Sequence, residues 1–110
     1  MNFDDLDPHA YQSLLKQGGK KKLDTLMDML KANGPQRIQE LLATNSVDEA
    51  KSIARALKSS AANLGLASLE DSCDQILTQN AWSPKHPLAL EAQRRLGLGQ
   101  AALIKARQTL

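Results

Sequence analysis

A chain of 110 residues is long enough to bury one modest core and short for two. With 42% hydrophobic residues but a single Phe, Tyr and Trp, that core must be built from Leu, Ile, Ala and Met, which favours packed helices over a sheet. A net charge of +2, from 14 cations against 12 anions, lacks the basic excess of a nucleic-acid or anionic-membrane binder.

The opening stretch, MNFDDLDPHA, is acidic and has no apolar run, so no signal peptide is expected. Asp7-Pro8 reads as an N-cap acid followed by a proline at the first helical position. The helix it opens passes through Tyr11, Leu14 and Leu15 and stops at Gly18-Gly19. Lys20-Lys21-Lys22 begins the next helix. With Asp24 and Asp28 close behind, it reads as a solvated helix end rather than a phosphate-binding patch. Leu23, Leu26, Met27 and Leu30 mark the apolar face, and Asn33-Gly34-Pro35 looks like a stop. Yet the same phase continues to Ile38, Leu41 and Leu42. The pattern predicts one helix over about 20–44, kinked at Pro35; two helices with a tight break are the alternative.

Ser46-Val47-Asp48-Glu49 fits a capping box. The helix it starts carries Ala50, Ile53, Ala54, Leu57, Ala61 and Leu64 on one face and ends at Gly65. Another helix is expected at once, capped by Ser68 with Glu70 and Asp71 in its first turn, burying Leu69, Cys73, Ile76 and Leu77. Residues 80–87, with two prolines, form a loop. The last helix is expected from about Leu88 to Thr109, with Ala89, Ala92, Leu96, Gly99, Leu103 and Ala106 inward and Gly97 and Gly99 allowing close contact with a neighbour. Short connections force neighbouring helices antiparallel. The expectation is therefore all-α: one domain over residues 1–110, an antiparallel up-down four-helix bundle with a short extra N-terminal helix.

Chemical motifs are sparse. Cys73 is the only cysteine, so neither an internal disulfide nor a cysteine-ligated zinc site is available, and no stretch approaches the ~20 apolar residues that span a bilayer. His9 and His86 lie far apart in the sequence and read as surface histidines. The Gly-Leu-Gly at 97–99 follows no strand and is no nucleotide loop. No catalytic set, metal site or cofactor is expected, and the protein is expected to be cytoplasmic, monomeric and free-standing.

One stretch stands out. In ARALKSSAANLG, residues 54–65, Arg55 projects from the helix face opposite Ala50 and Leu57, surrounded by Ser52, Ser59 and Ala62, with Lys58 at its flank. A solvated helix face ordinarily carries Glu, Lys and Gln. Small side chains let another molecule approach the helix backbone, so the stripe fits a docking face centred on Arg55. It fits equally an exposed helix that merely tolerates Ala and Ser, and pattern alone leaves both readings open.

Over residues 54–76 the chain resembles the signature of the histidine-containing phosphotransfer (HPt) domains of bacterial phosphorelays, roughly A-H-x-L-K-G-S-[SA]-A-N-L-G-[AL]-x-x-L-x-x-x-C-x-x-[IL]. Ala54, Leu57, Lys58, Ser60, Ala62, Asn63, Leu64, Gly65, Leu69, Cys73 and Ile76 fall on the pattern. The remainder agrees more loosely, through Asp7, the Leu-rich segment before Gly18-Gly19 and the long helix with an internal proline. The resemblance implies an antiparallel four-helix bundle, and a partner that is a receiver domain or a histidine kinase. It implies a docking site at Ser52, Arg55, Ala56, Lys58, Ser59, Ala62 and Asn63. The departure is central: where the family has its phosphoacceptor histidine, this chain has Arg55, and Ser59 stands where glycine is usual. Phosphoryl acceptance needs a neutral imidazole nitrogen, whereas a guanidinium stays protonated and has no lone pair to offer. The resemblance thus implies a module that binds without carrying phosphate. Two alternatives are a phosphotransfer protein inactivated by a His-to-Arg change at position 55, and a helical adaptor for an unrelated protein.

Overall fold

A computed structural model describes residues 6–110; the acidic opening at 1–5 lies outside them. The described residues form four helices and no strand: α1 (Pro8–Ala43), α2 (Val47–Leu64), α3 (Ala67–Leu77) and α4 (Pro87–Gln108). Each helix packs on the next in sequence and α4 closes back on α1, while the Cα atoms of the diagonal pairs α1/α3 and α2/α4 stay more than 8 Å apart. The result is a four-helix arrangement around one shared core.

Helix α1 begins where the sequence places it. Asp7 Oδ1 accepts from the main-chain N–H of His9 (2.9 Å) and Ala10 (3.4 Å), and Pro8 needs no acceptor for an N–H it lacks. The expected boundary at Gly18-Gly19 is a local break at Gly19, whose φ of 63° and ψ of −160° interrupt an otherwise helical path. Residues 8–18 and 20–43 are therefore two arms. Through Pro35 the backbone stays helical, so Asn33-Gly34-Pro35 does not split the second arm. Pro35 and Lys31 both face solvent, where water can take the carbonyl that proline leaves without a donor. Gly34 is buried because α4 comes close: a Cβ there would lie 3.2 Å from Leu96 Cδ2.

The α2 N-terminus is half of a capping box. Ser46 Oγ accepts from Glu49 N (3.2 Å), but the Ser46 N–H donates to Thr44 Oγ1 (3.1 Å) rather than to Glu49. At the other end Gly65 adopts φ 73°, and the Leu66 N–H reaches back to Ala61 O at 2.8 Å, closing α2 with a left-handed cap. This tight reversal corrects the expected start of α3. Its N-cap is Leu66 rather than Ser68, with no side-chain cap, because the cap turn leads straight into the next helix and Leu66 is held by full burial against Gly99. Ser68 sits in the first turn instead, and its carbonyl accepts from Arg95 Nη1 of α4 (2.9 Å). The expected close contact at Gly99 is thus present. Gly97 instead faces open space.

Helix α4 starts one residue earlier than expected, at Pro87. His86 is its cap: Nδ1 accepts from the Leu88 N–H at 3.1 Å, while the ring stacks on Trp82 with centroids 4.1 Å apart. Trp82 is buried and donates Nε1–H to Leu41 O (3.1 Å), and the Lys85 N–H donates to Leu42 O (2.8 Å). The loop is thereby strapped to the end of α1. The core contains every inward position expected for α2 and α4, with Leu23, Ile38, Leu41, Leu57, Leu69 and Ile76 fully enclosed. Arg107 reinforces α1/α4 through a bidentate contact to Asp24, Nε–Oδ1 2.7 Å and Nη2–Oδ2 3.2 Å. Among the described residues no helix is long and apolar enough to cross a membrane.

Candidate docking face on α2

The sequence pattern that buries Ala50, Ile53, Ala54, Leu57, Ala61 and Leu64 necessarily turns the rest of α2 outward. Ser52, Arg55, Ser59, Ala62 and Asn63 are exposed, while Ala56 and Lys58 are half-buried at the margins. The seven residues expected to form a docking face therefore do share one exposed surface. Ser60, on the family pattern, points partly inward and donates its hydroxyl to the Ala56 carbonyl (3.3 Å).

Arg55 makes no hydrogen bond or ion pair with any described residue. It is a free guanidinium halfway along α2, with only small side chains on its own stripe. Lys58, one turn later, is engaged: its Nζ lies 2.6 Å from Asp74 Oδ1 on α3. That hydrogen bond and the Asp74 charge raise the Lys58 pKa above its ordinary value, with Glu70 adding a smaller contribution and partial desolvation opposing. Two residues here escape sequence reasoning. Lys51 lies four residues before Arg55, half-buried on the same side of α2 as Lys58, and that spacing was a readable signal. Asp74 reaches the face only through the packing of α3 on α2, which no local spacing announces.

Beyond Arg55 the face runs into a groove of about 330 Å³ between the end of α2 and both arms of α1, lined among others by Ser13, Gln17, Lys22, Ala62 and Asn63. The wall is held in place by Asp7, whose N–H donates to Gly65 O at 2.6 Å. Lys22 Nζ rests 3.4 Å from Gln17 Oε1 within it.

A guanidinium presents five donors in a planar fork that matches a carboxylate or phosphate, but no nucleophilic lone pair. The one thiol, Cys73 on α3, is buried, with its pKa pushed up to about 12 chiefly by desolvation. Neither histidine belongs to the face: His9 lies in the first turn of α1 and His86 caps α4. Among the described residues no three His, Cys, Asp or Glu side chains are grouped to hold a metal ion. No protein-family model, curated protein or solved structure matches the chain.

Proposed function

We propose that this protein is an HPt-like signalling module that docks an acidic partner, a receiver domain or a histidine kinase of a bacterial two-component system, without accepting phosphate. The reading joins the resemblance over residues 54–76 to one observation. Arg55 is exposed and unpaired in the middle of a small-residue face, at the position where the family carries its phosphoacceptor. In this reading the chain is an antiparallel up-down bundle, a cytoplasmic monomer and not an enzyme. Its docking residues are Ser52, Arg55, Ala56, Lys58, Ser59, Ala62 and Asn63. The resemblance implies a receiver whose phosphorylation pocket is a cluster of carboxylates. Arg55 enters that pocket in place of an imidazole and pairs with the carboxylates, in the two-pronged geometry that a guanidinium favours.

The role follows from charge. A receiver already carrying a phosphoryl group has filled its pocket, so the protein prefers the unphosphorylated receiver and competes with genuine phosphotransfer partners. Affinity is to be measured against the receivers of the protein's own source, with and without a phosphate mimic. Binding to the bare receiver, weakened about tenfold or more by Arg55→Ala, is expected. Tighter binding to the mimic-loaded receiver, or an Arg55→Ala variant that binds as well as wild type, sinks the proposal.

A further inference from the structure

Three cations share the outer side of α2: Lys51, Arg55 and Lys58, spaced four and three residues apart. Among the described residues only Lys58 of these three has an anionic partner, Asp74 at 2.6 Å, with Glu70 one turn before it on α3. The pair is not a buried fixture of the core, since the side chains of Lys58 and Asp74 are 39% and 50% exposed. An ion pair this exposed is weakly held and readily exchanged for another carboxylate.

We propose that Asp74 is a built-in competitor on the docking face: it occupies Lys58 in the free protein and yields it to a carboxylate of an acidic partner, and so sets how tightly that partner is held. This inference rests on the reading of α2 as a face for acidic partners, and names the residue that tempers it. The reasoning is electrostatic. A partner carboxylate arriving at Arg55 meets a field in which Lys58 is already neutralised by Asp74. It also feels the negative charge of Asp74 directly. To use Lys58 it must displace a carboxylate of equal chemistry, so the exchange adds little net attraction. Removing the charge of Asp74 while keeping its shape frees Lys58 and leaves Lys51, Arg55 and Lys58 as one cationic stripe.

Four variants of the whole chain test this: Asp74→Asn, Lys58→Ala, the two combined, and Asp28→Asn, which makes the same charge change on α1. The probes are a hexa-aspartate peptide and any receiver that binds the wild type, titrated at low salt and at about 0.5 M. Asp74→Asn is expected to tighten binding about threefold at low salt, with the gain fading at high salt. Asp28→Asn should not reproduce it, and the gain should vanish in the Lys58→Ala background. An equal gain from Asp28→Asn, or one that persists without Lys58, means net charge alone and overturns the inference. So does the absence of any gain, or of any peptide binding to Asp74→Asn. The two proposals fail separately. A receiver set in which nothing binds wild type removes the docking reading while the peptide still decides the role of Asp74. A receiver that binds wild type and Asp74→Asn equally removes this inference alone.

Discussion

The guanidinium of Arg55 offers a planar fork of donors and no nucleophilic lone pair. The one thiol is kept equally inert by different means. Cys73 is fully enclosed, and burial foremost, with the nearby carboxylates of Asp74 and Glu70, holds its pKa near 12 against the smaller pull of Lys58. The folded protein is therefore expected to resist iodoacetamide at neutral pH and to be labelled fast once denatured. Labelling at the rate of a free thiol in native buffer would contradict the burial. At this scale the sequence was readable where a side chain's setting depends on its own helix. The outward direction of Arg55 and the inward direction of Cys73 follow from spacing. The Lys58–Asp74 pair does not, because it joins two helices whose mutual rotation no local pattern specifies.

The elements were legible to the extent that their ends are chemically marked. Asp7-Pro8, Ser46 and Gly65 all act where the sequence puts them, since each supplies a donor, an acceptor or a backbone conformation that few residues can. Ser68 misled because a serine is a good cap only if the chain pauses before it, and after Gly65 it does not. Trp82 and His86 were hidden for a related reason: their roles, bonding Leu41 and capping α4, depend on a loop folding back across α1. Gly65 carries a sharp expectation. At φ 73°, with Asp7 O only 3.1 Å and Ala10 Cβ 3.2 Å from where a Cβ would sit, Gly65→Ala should cost at least about 1–2 kcal/mol in urea unfolding. Gly97→Ala, which enters open space on a helix, should instead be neutral or stabilise by up to about 1 kcal/mol. Equal effects at the two sites would refute the assignment of Gly65 as a left-handed cap.

For the whole molecule, ion pairs within α4 and between α4 and α1 make stability depend on acid. Hydrogen bonds from Arg94 and Arg95 lower the Glu91 pKa from 4.5 to about 2, and Arg107 lowers that of Asp24. A carboxyl whose pKa is depressed on folding stabilises fully above its unfolded value and loses that contribution as pH falls through the folded one. The stability gap between wild type and Glu91→Gln should therefore be constant above about pH 4.5 and close as pH approaches 2. A gap that does not change with pH in urea titrations would rule this out. The break at Gly19 has a different consequence, mechanical rather than chemical. One residue outside the helical region uncouples the first eleven residues of α1 from the remaining length, so the element behaves as two cooperative units instead of one rod. The short arm is pinned at its far end by the Asp7–Gly65 bond and forms one wall of the groove beside Asn63. It is expected to open more readily than residues 20–43 of the same helix. Amide exchange should show a step in protection at Gly19, lower before it than after, whereas uniform protection along α1 would mean that the two arms unfold together.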